Sequence, residues 1–205
     1  MTPGSGYDEV RHSQLHFRAL LDSMSFPGRI NTLEPVDFSP SPSLNKASAL
    51  VAFALLNGDV SFHLVNMTDE DTTYLASYTR ARAVPIGEAT FVFARGAETP
   101  DALEGAPCGT LAYPDTGATI VIQVDALSNE PLSGGLKVTI AGPGAGPSAS
   151  VYLKSINPDF LLALQARNAE FPLGIDAIVT CDDGKSGPAR VLGIPRTARL
   201  SWELV

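Results

Sequence analysis

The sequence is poor in charged residues, and basic residues are fewer than acidic ones. Asp, Glu, Lys and Arg make up 18% of the 205 residues, below the roughly 25% of an ordinary soluble domain. The net charge is −8, and no run of Lys or Arg offsets it. Such a field repels nucleic acid and anionic lipid, so we expect neither as a partner. A triphosphate would need a local cluster of arginines to bind here.

Cysteine is also scarce, and a leader or membrane segment is not apparent. Cys108 and Cys181 match no metal or redox spacing, so we expect two buried, reduced thiols. The first residues, MTPGSGYDEVRHS, lack the basic start and apolar run of a signal peptide. No run of 18 apolar residues is present to span a bilayer. These features predict a soluble, cytoplasmic chain.

Hydrophobic periodicity predicts helices interleaved with strands. The predicted helices cover 8–24 (or 13–24), 44–56, 68–80 and 157–170, and the predicted strands cover 29–33, 60–65, 89–94, 119–124, 136–140, 175–181, 189–195 and 198–204. This order favours an α/β fold, with one mixed sheet covered by helices on both faces. A length of 205 residues suits one domain, residues 1–205.

Several helix boundaries and faces follow from local patterns. Thr68 and Asn157 are predicted N-caps. Phe17, Leu20, Leu21 and Met24 have the spacing of a stripe that faces a core. The last helix is expected to bury Phe160, Leu161, Leu164 and Phe171.

Motifs for familiar chemistries are incomplete. Gly184-Lys185-Ser186 lacks the first glycine of a phosphate loop, and Pro147 stands where a dinucleotide fingerprint after Gly142 and Gly144 needs glycine. The stretch 142–150 is therefore predicted to be a flexible connector. His12 and His16 are spaced as a metal pair, but exposed histidines at a helix start are the favoured interpretation. His63 is interpreted as structural, and Asp182-Asp183 as turn residues.

The stretch 171–200 reads as two strands joined by the turn DDGKSG. Antiparallel pairing about a turn centred between Lys185 and Ser186 sets Asp176 opposite Pro195 and beside Arg196, which predicts an ion pair. Arg18, Arg29 and Arg196 leave two interpretations open. Clustered, they would clamp a phosphate; scattered, they are ordinary ion-pair partners.

Five short segments in order resemble one protein family. They are FRALLDSMSFPG at 17–28, GAT at 117–119, GPG at 142–144, FPLGID at 171–176 and PRT at 195–197. Together they resemble the H subunit of the bacterial carbon–phosphorus lyase. The resemblance implies a fold like the large domain of type I pyridoxal-phosphate transferases, without that cofactor. None of the four lysines (Lys46, Lys137, Lys154, Lys185) lies in the context that a Schiff base needs.

The resemblance also implies a function and partners. The family's H subunit is a structural, non-catalytic component of the lyase core complex, acting with the G, I and J subunits and with L. That system makes alpha-D-ribose 1-methylphosphonate 5-triphosphate from ATP and methylphosphonate. Two alternatives remain open: a stand-alone transferase with a pocket not visible in sequence, and a module that binds a phosphonate or a nucleotide.

Self-association is a further expectation. The segments KASALVAFALL (46–56) and ARVLGIP (189–195) are apolar on more than one face. One domain of this size has limited interior, so some apolar surface should reach the outside, and such patches mark interfaces. Like the family's H subunit, the chain is therefore expected to form a homodimer and to keep a second apolar area for other subunits.

Overall fold

A computed structural model of the chain describes residues 6–146, 148–182 and 187–205. Four α-helices lie in these ranges: α1 (Arg11–Ser25), α2 (Lys46–Leu55), α3 (Asp69–Thr79) and α4 (Pro158–Arg167). The strands are β1 (Ile30–Thr32), β2 (Ser61–Leu64), β3 (Arg82–Ala83), β4 (Phe91–Arg95), β5 (Thr119–Gln123), β6 (Ala126–Ser128), β7 (Leu136–Ala141), β8 (Ala149–Lys154), β9 (Asp176–Asp182), β10 (Ala189–Ile194) and β11 (Arg199–Leu204).

The strands form two sheets rather than one. The larger has seven strands in the order β1-β10-β9-β5-β4-β2-β3. Its strands β9, β5, β4, β2 and β3 run parallel, whereas β10 is antiparallel to both of its neighbours. The smaller sheet is fully antiparallel, in the order β11-β7-β8-β6. The fold is therefore α/β with a mixed sheet, as predicted, but with an additional antiparallel sheet.

That second sheet corrects the expectation of helices on both faces. Helices α1, α2 and α3 cover one face, where Leu50 and Leu75 pack on Phe62, Phe93 and Val121. The other face meets the small sheet and α4 in a separate core, to which Ile120, Val138, Val151 and Phe160 belong. Strand β9 serves both cores, because Ala177 and Val179 point to one and Ile178 to the other.

Two of the strands that the sequence did not predict, β6 and β8, explain this error. The first two residues of β8, Ala149 and Ser150, fall within the predicted connector 142–150, and the sequence analysis assigns 151–154 to no strand. In fact β7 and β8 form an antiparallel hairpin, with Ile140 opposite Ala149, and residues 142–146 after β7 are turn and bend residues. Strand β6 is only three residues long and pairs with β8. Together they create a sheet where helices were expected.

Several predicted faces are also wrong. On α1 the buried residues are His16, Leu20 and Ser23, whereas Phe17 and Leu21 are about half exposed. Helix α4 ends at Arg167 and Phe171 is 70% exposed. Helix α2 and strand β10 supply little exposed apolar surface, since 47–52 and 191–194 are buried. The exposed apolar side chains lie elsewhere: Val10, Phe17, Leu21, Phe26, Leu111, Tyr113, Leu162, Phe171, Leu204 and Val205.

The two predicted N-caps, Thr68 and Asn157, are confirmed. Thr68 accepts a hydrogen bond from the Asp71 N–H, and the Asp71 carboxylate accepts one from the Thr68 N–H, which completes a capping box. The Asn157 side chain accepts from the Asp159 N–H, with Pro158 in the first turn. Within the described ranges, no helix is both long and apolar enough to cross a membrane.

Candidate functional site

The segments that carry the family resemblance meet at one edge of the large sheet. This is the amino edge, where the parallel strands β5 and β9 begin and the antiparallel strand β10 ends. The centre of the cluster, called here the motif junction, consists of Gly117, Gly174, Asp176 and Arg196. They come from three of the five segments, since Gly174 and Asp176 share the segment 171–176, and folding brings together residues up to 79 positions apart.

Glycine is needed at the motif junction because backbone passes close by. A Cβ atom on Gly117 would lie 2.4 Å from the Gly174 carbonyl oxygen and 2.8 Å from Arg196 Nη1. Gly174 has φ +146°, and its Cβ would lie 2.5 Å from Asn168 Oδ1. The N–H of Gly174 donates to the Cys108 carbonyl at 2.9 Å. Any side chain at either glycine would separate these segments.

Asp176 and Arg196 form the charged part of the junction. Arg196 Nε and Nη2 donate to Asp176 Oδ2 at 3.0 and 2.6 Å, and the Arg196 N–H donates to Oδ1 at 2.7 Å. The remaining nitrogen, Nη1, donates to the Pro114 carbonyl at 2.7 Å. The Arg196 side chain is 15% exposed and the Asp176 side chain is 22% exposed. The contact predicted from the hairpin is present, although the turn residues 183–186 lie outside the described ranges.

Two further motif segments pack against each other beside this junction. A Cβ on Gly144 would lie 2.1 Å from the Ser25 carbonyl oxygen, and one on Gly28 would lie 2.2 Å from Ala149 Cβ. The C-terminal end of α1 is thus held against the β7–β8 turn. Gly142 in the same turn has its nearest contact with the Thr197 carbonyl, 3.1 Å from a built Cβ. Residues 142–144 therefore form a packed corner, which corrects the prediction of a flexible connector there.

The other two arginines considered from the sequence are placed differently. Arg29 Nη1 pairs with Asp22 Oδ1 at 2.9 Å, and its guanidinium lies 4.2 Å from the centre of the Phe26 ring. Arg18 is exposed on α1. Arg29 and Arg196 each have a carboxylate partner, so both charges are already compensated. The contacts of Arg29 and Arg196 therefore favour ion pairing over a phosphate clamp.

The opposite, carboxyl edge of the sheet carries the N-terminus of α2. The Lys46 and Ala47 N–H groups donate to the two oxygens of Asp182 at 2.5 and 2.8 Å. The Ser48 N–H donates to Asn45 Oδ1 at 2.7 Å, and the Asn45 N–H to Gln123 Oε1 at 2.6 Å. The free donors of the helix end, which form a common anion-binding site, are thus bound by the chain's own side chains.

Helix α3 begins at the same edge and is closed in the same way. The buried Asp71 carboxylate accepts hydrogen bonds from Ser41 Oγ at 2.5 Å, Thr68 Oγ1 at 2.6 Å and the Ser43 N–H at 3.1 Å. Burial alone would raise the pKa of Asp71, but these hydrogen bonds outweigh burial and lower it well below its usual range. Asp71 therefore also fastens the proline-rich loop before α2.

The histidines are structural in their contacts. His16, expected to be exposed, is fully buried; its Nε2–H donates to the Glu34 carbonyl at 3.0 Å, and burial lowers its pKa. His12 Nδ1 accepts from the Asp8 N–H at 2.8 Å, and the two imidazole rings stack 6.0 Å apart. His63 Nδ1–H donates to the Val84 carbonyl. In the part of the chain that the structure describes, no group of three or more His, Cys, Asp or Glu side chains is placed to hold a metal ion.

Two surface clefts flank the edges of the sheet. A groove of about 860 Å³ lies between α4 and the start of β11, and is lined by Leu162, Ala166, Phe171, Ala198 and Leu200 among others. A smaller cleft of about 490 Å³ lies at the carboxyl ends of β4 and β5, beside Arg95 and Asp125. Sequence reasoning found neither, because both depend on how separate elements pack.

The fold and the motif junction define a class of α/β protein in which one mixed sheet packs on one antiparallel sheet. The family model for "Bacterial phosphonate metabolism protein (PhnH)" matches residues 5–201. The chain belongs to this family.

Two curated relatives align over most of the chain. One, from Rhizobium meliloti (strain 1021), is named alpha-D-ribose 1-methylphosphonate 5-triphosphate synthase subunit PhnH; it is 33% identical over 205 residues, covering 98% of this chain and 96% of the relative. The other, from Stutzerimonas stutzeri, is named putative C-P lyase subunit protein HtxG; it is 30% identical over 194 residues, covering 94% of this chain and 88% of the relative. The resemblance given in the sequence analysis is confirmed.

Proposed function

We propose that this chain is a structural, non-catalytic subunit of the carbon–phosphorus lyase core complex in organophosphonate catabolism. In this role it supports synthesis of alpha-D-ribose 1-methylphosphonate 5-triphosphate from ATP and methylphosphonate in the cytoplasm. The observation that carries the proposal is the alignment with the Rhizobium protein, which extends over 98% of this chain. Its partners in this proposal are a second copy of itself and the G, I, J and L proteins.

The contacts at both edges of the sheet support a role without catalytic groups. At the amino edge, the charged signature residues Asp176 and Arg196 bind each other and the backbone. At the carboxyl edge, where open α/β sheets bind ligands, the Asp182 carboxylate occupies the end of α2. A phosphorylated ligand would have to displace it against a net charge of −8.

The test separates the chain from the complex. The purified chain is incubated with ATP and methylphosphonate, alone and with the G, I, J and L proteins, and adenine release is followed by chromatography. We expect release with the full set and none above a heat-denatured control with this chain alone. Turnover by the chain alone would refute the structural role, and full activity of the set without this chain would refute membership of the complex.

A second candidate is a module that binds a phosphonate or nucleotide in the 490 Å³ cleft. The exposed Arg95 lines this cleft beside Asp125 and Ser155, which gives an anionic ligand a positive charge to bind. Calorimetric titration of the isolated chain with methylphosphonate and with ATP tests this candidate. Binding that is lost in Arg95→Ala would favour it over the structural role.

A further inference from the structure

The two sheets have four edge strands, and one of them differs from the rest. Strands β1, β3 and β6 are two or three residues long, which is one of the ways in which proteins protect a sheet edge from pairing with another chain. Strand β11 has six residues and contains no proline. A long edge strand without such protection is a template for a further strand.

The register of β11 shows which of its backbone groups point away from β7, toward the open side of the sheet. The Val205 N–H donates to the Gly135 carbonyl on the β7 side, whereas the Leu200 N–H donates away from β7, to Gln165 Oε1 at 3.0 Å. Because the direction of hydrogen bonding alternates along a strand, Arg199, Ser201 and Glu203 bond to β7. The N–H and C=O groups of Leu200, Trp202 and Leu204 point outward.

An apolar groove and an apolar protrusion lie along this same edge. The groove of about 860 Å³ runs between α4 and residues 196–200. Leu162 and Phe171, at its walls, are 56% and 70% exposed. At the far end of the strand Leu204 is 84% exposed, the most exposed large apolar side chain described together with Val10. A groove and a protrusion on one strand are complementary when a second copy is turned by a twofold rotation.

We propose that two copies of the chain pair antiparallel through β11, about a twofold axis at Ser201. This inference rests on the self-association proposed above and assigns it a surface. With Ser201 opposite itself, Leu200 faces Trp202 of the second copy. Both residues have outward backbone groups, as a hydrogen-bonded pair requires. The Leu200 N–H exchanges Gln165 for the carbonyl of Trp202 of the second copy, so no donor is left without an acceptor.

Charge and shape both agree with this register. Arg199 stands opposite Glu203 of the second copy, on the outer face of the sheet, and this pair occurs twice. Glu203 already binds Lys137 on β7 at 2.7 Å, so it would lie between two cations. On the inner face, Leu204 stands opposite Ala198 of the second copy, which lines the apolar groove. The two four-stranded sheets then form one sheet of eight strands, with the exposed Leu204 covered.

A cross-link tests the register directly. In a pair that is not hydrogen-bonded, opposite Cα atoms lie about 4.5 Å apart, within the roughly 4.4–6.8 Å of a disulfide. Ser201→Cys is therefore expected to give a covalent dimer on mild oxidation, seen on a non-reducing gel. Glu203→Cys is the matched control on the same exposed face and is expected to remain monomeric on that gel. The unsubstituted chain, with Cys108 and Cys181, gives the background.

A charge exchange tests the same interface without cysteine. Arg199→Glu sets two like-charged pairs across the axis and is expected to raise the dimer dissociation constant about tenfold or more. Glu203→Arg is expected to do the same, and the double variant is expected to restore dimerisation. Sedimentation of each purified full-length chain measures the constant, and circular dichroism checks its fold.

The outcomes distinguish the surface from self-association itself. Cross-linking of Glu203→Cys but not Ser201→Cys overturns the register. A dimer by light scattering that neither cysteine traps and neither charge reversal weakens overturns the β11 interface, while the homodimer stands. A monomer at micromolar concentration overturns both.

Discussion

The two edges of the seven-stranded sheet are closed in opposite ways. At the carboxyl edge, carboxylates and amides bind the donors at the ends of helices, as Asp182 does at α2 and Asp71 at α3. At the amino edge, glycines let backbone approach backbone around a single ion pair. The carboxyl edge is held by polar side chains at helix ends. The amino edge is held by close backbone contacts at glycines and by one ion pair.

The difference bears on where function could lie. Open α/β sheets bind ligands at the carboxyl edge, where helix N-termini offer free N–H groups. In this protein the chain supplies carboxylates of its own at two of those positions. The residues that carry the family resemblance lie at the other edge, where they fix the relative positions of the two sheets.

The largest expected effect is at the amino edge. Asp176→Ala would leave the Arg196 guanidinium mostly buried without its carboxylate, and we expect a loss of about 3–5 kcal/mol in the free energy of unfolding. Chemical denaturation monitored by circular dichroism measures it. Asp22→Ala breaks the more exposed pair with Arg29 and should cost at most about 1 kcal/mol. Equal losses for the two variants would refute the structural importance of the motif junction.

A glycine substitution tests the same edge by volume alone. Gly117 has an ordinary φ of −64°, so Gly117→Ala introduces no backbone strain, only a Cβ 2.4 Å from a carbonyl oxygen. We expect a loss of about 3 kcal/mol, at the upper end for overpacking. The matched control is Gly87→Ala, whose Cβ would meet nothing closer than 3.6 Å. Equal melting temperatures for Gly117→Ala and Gly87→Ala would refute the close packing of Gly117 against the Gly174 carbonyl.

The ion pair illustrates what sequence alone could predict. Once a hairpin turn is placed, antiparallel pairing fixes which residues lie opposite each other. The proximity of Asp176 to Arg196 could therefore be predicted without knowledge of the rest of the fold. Helix starts were equally accessible, because Thr68 and Asn157 act on donors only two or three residues away. These features depend on short distances along the chain.

Features that depend on distant partners were not predictable in the same way. The spacing of Phe17 and Leu21 identified an apolar face of α1, but periodicity does not say whether that face meets a core or the outside. His16 is buried because β1 and its flanking loop supply the Glu34 carbonyl. The small sheet was missed because β8 acquires its partners from β6 and β7, and its own sequence begins in a turn-like segment.

At the carboxyl edge the comparison predicts sensitivity to acid. Hydrogen bonds hold the pKa of Asp71 well below its unfolded value of about 3.9. The carboxylate therefore contributes stability that is fully present above about pH 4 and is lost as pH falls toward the folded pKa. Asp71→Asn should cost about 2 kcal/mol at neutral pH, and the gap to the unsubstituted chain should close in acid. Denaturation between pH 7 and pH 2 measures it.

The exposed neighbour Asp69 in the same helix turn provides the control. Asp69→Asn is expected to cost about 0.5 kcal/mol or less, since only the helix dipole is affected. A gap between Asp71→Asn and the unsubstituted chain that stays constant with pH would mean that the Asp71 hydrogen bonds do not depend on its charge.

The smallest effect carries the most specific information about the carboxyl edge. If Asp182 occupies an anion site at the start of α2, Asp182→Ala should free the Lys46 and Ala47 N–H groups at a cost of about 1–2 kcal/mol. An added anion could then take the vacated position. We expect sulfate to raise the melting temperature of Asp182→Ala more than sodium chloride of equal ionic strength does. Sulfate also stabilises folded chains in general by exclusion from their surface, so the excess over sodium chloride should be larger for the variant than for the unsubstituted chain, whose site is filled. An equal excess in the two chains would show that the Asp182 carboxylate caps a helix without occupying a place that an external anion can use.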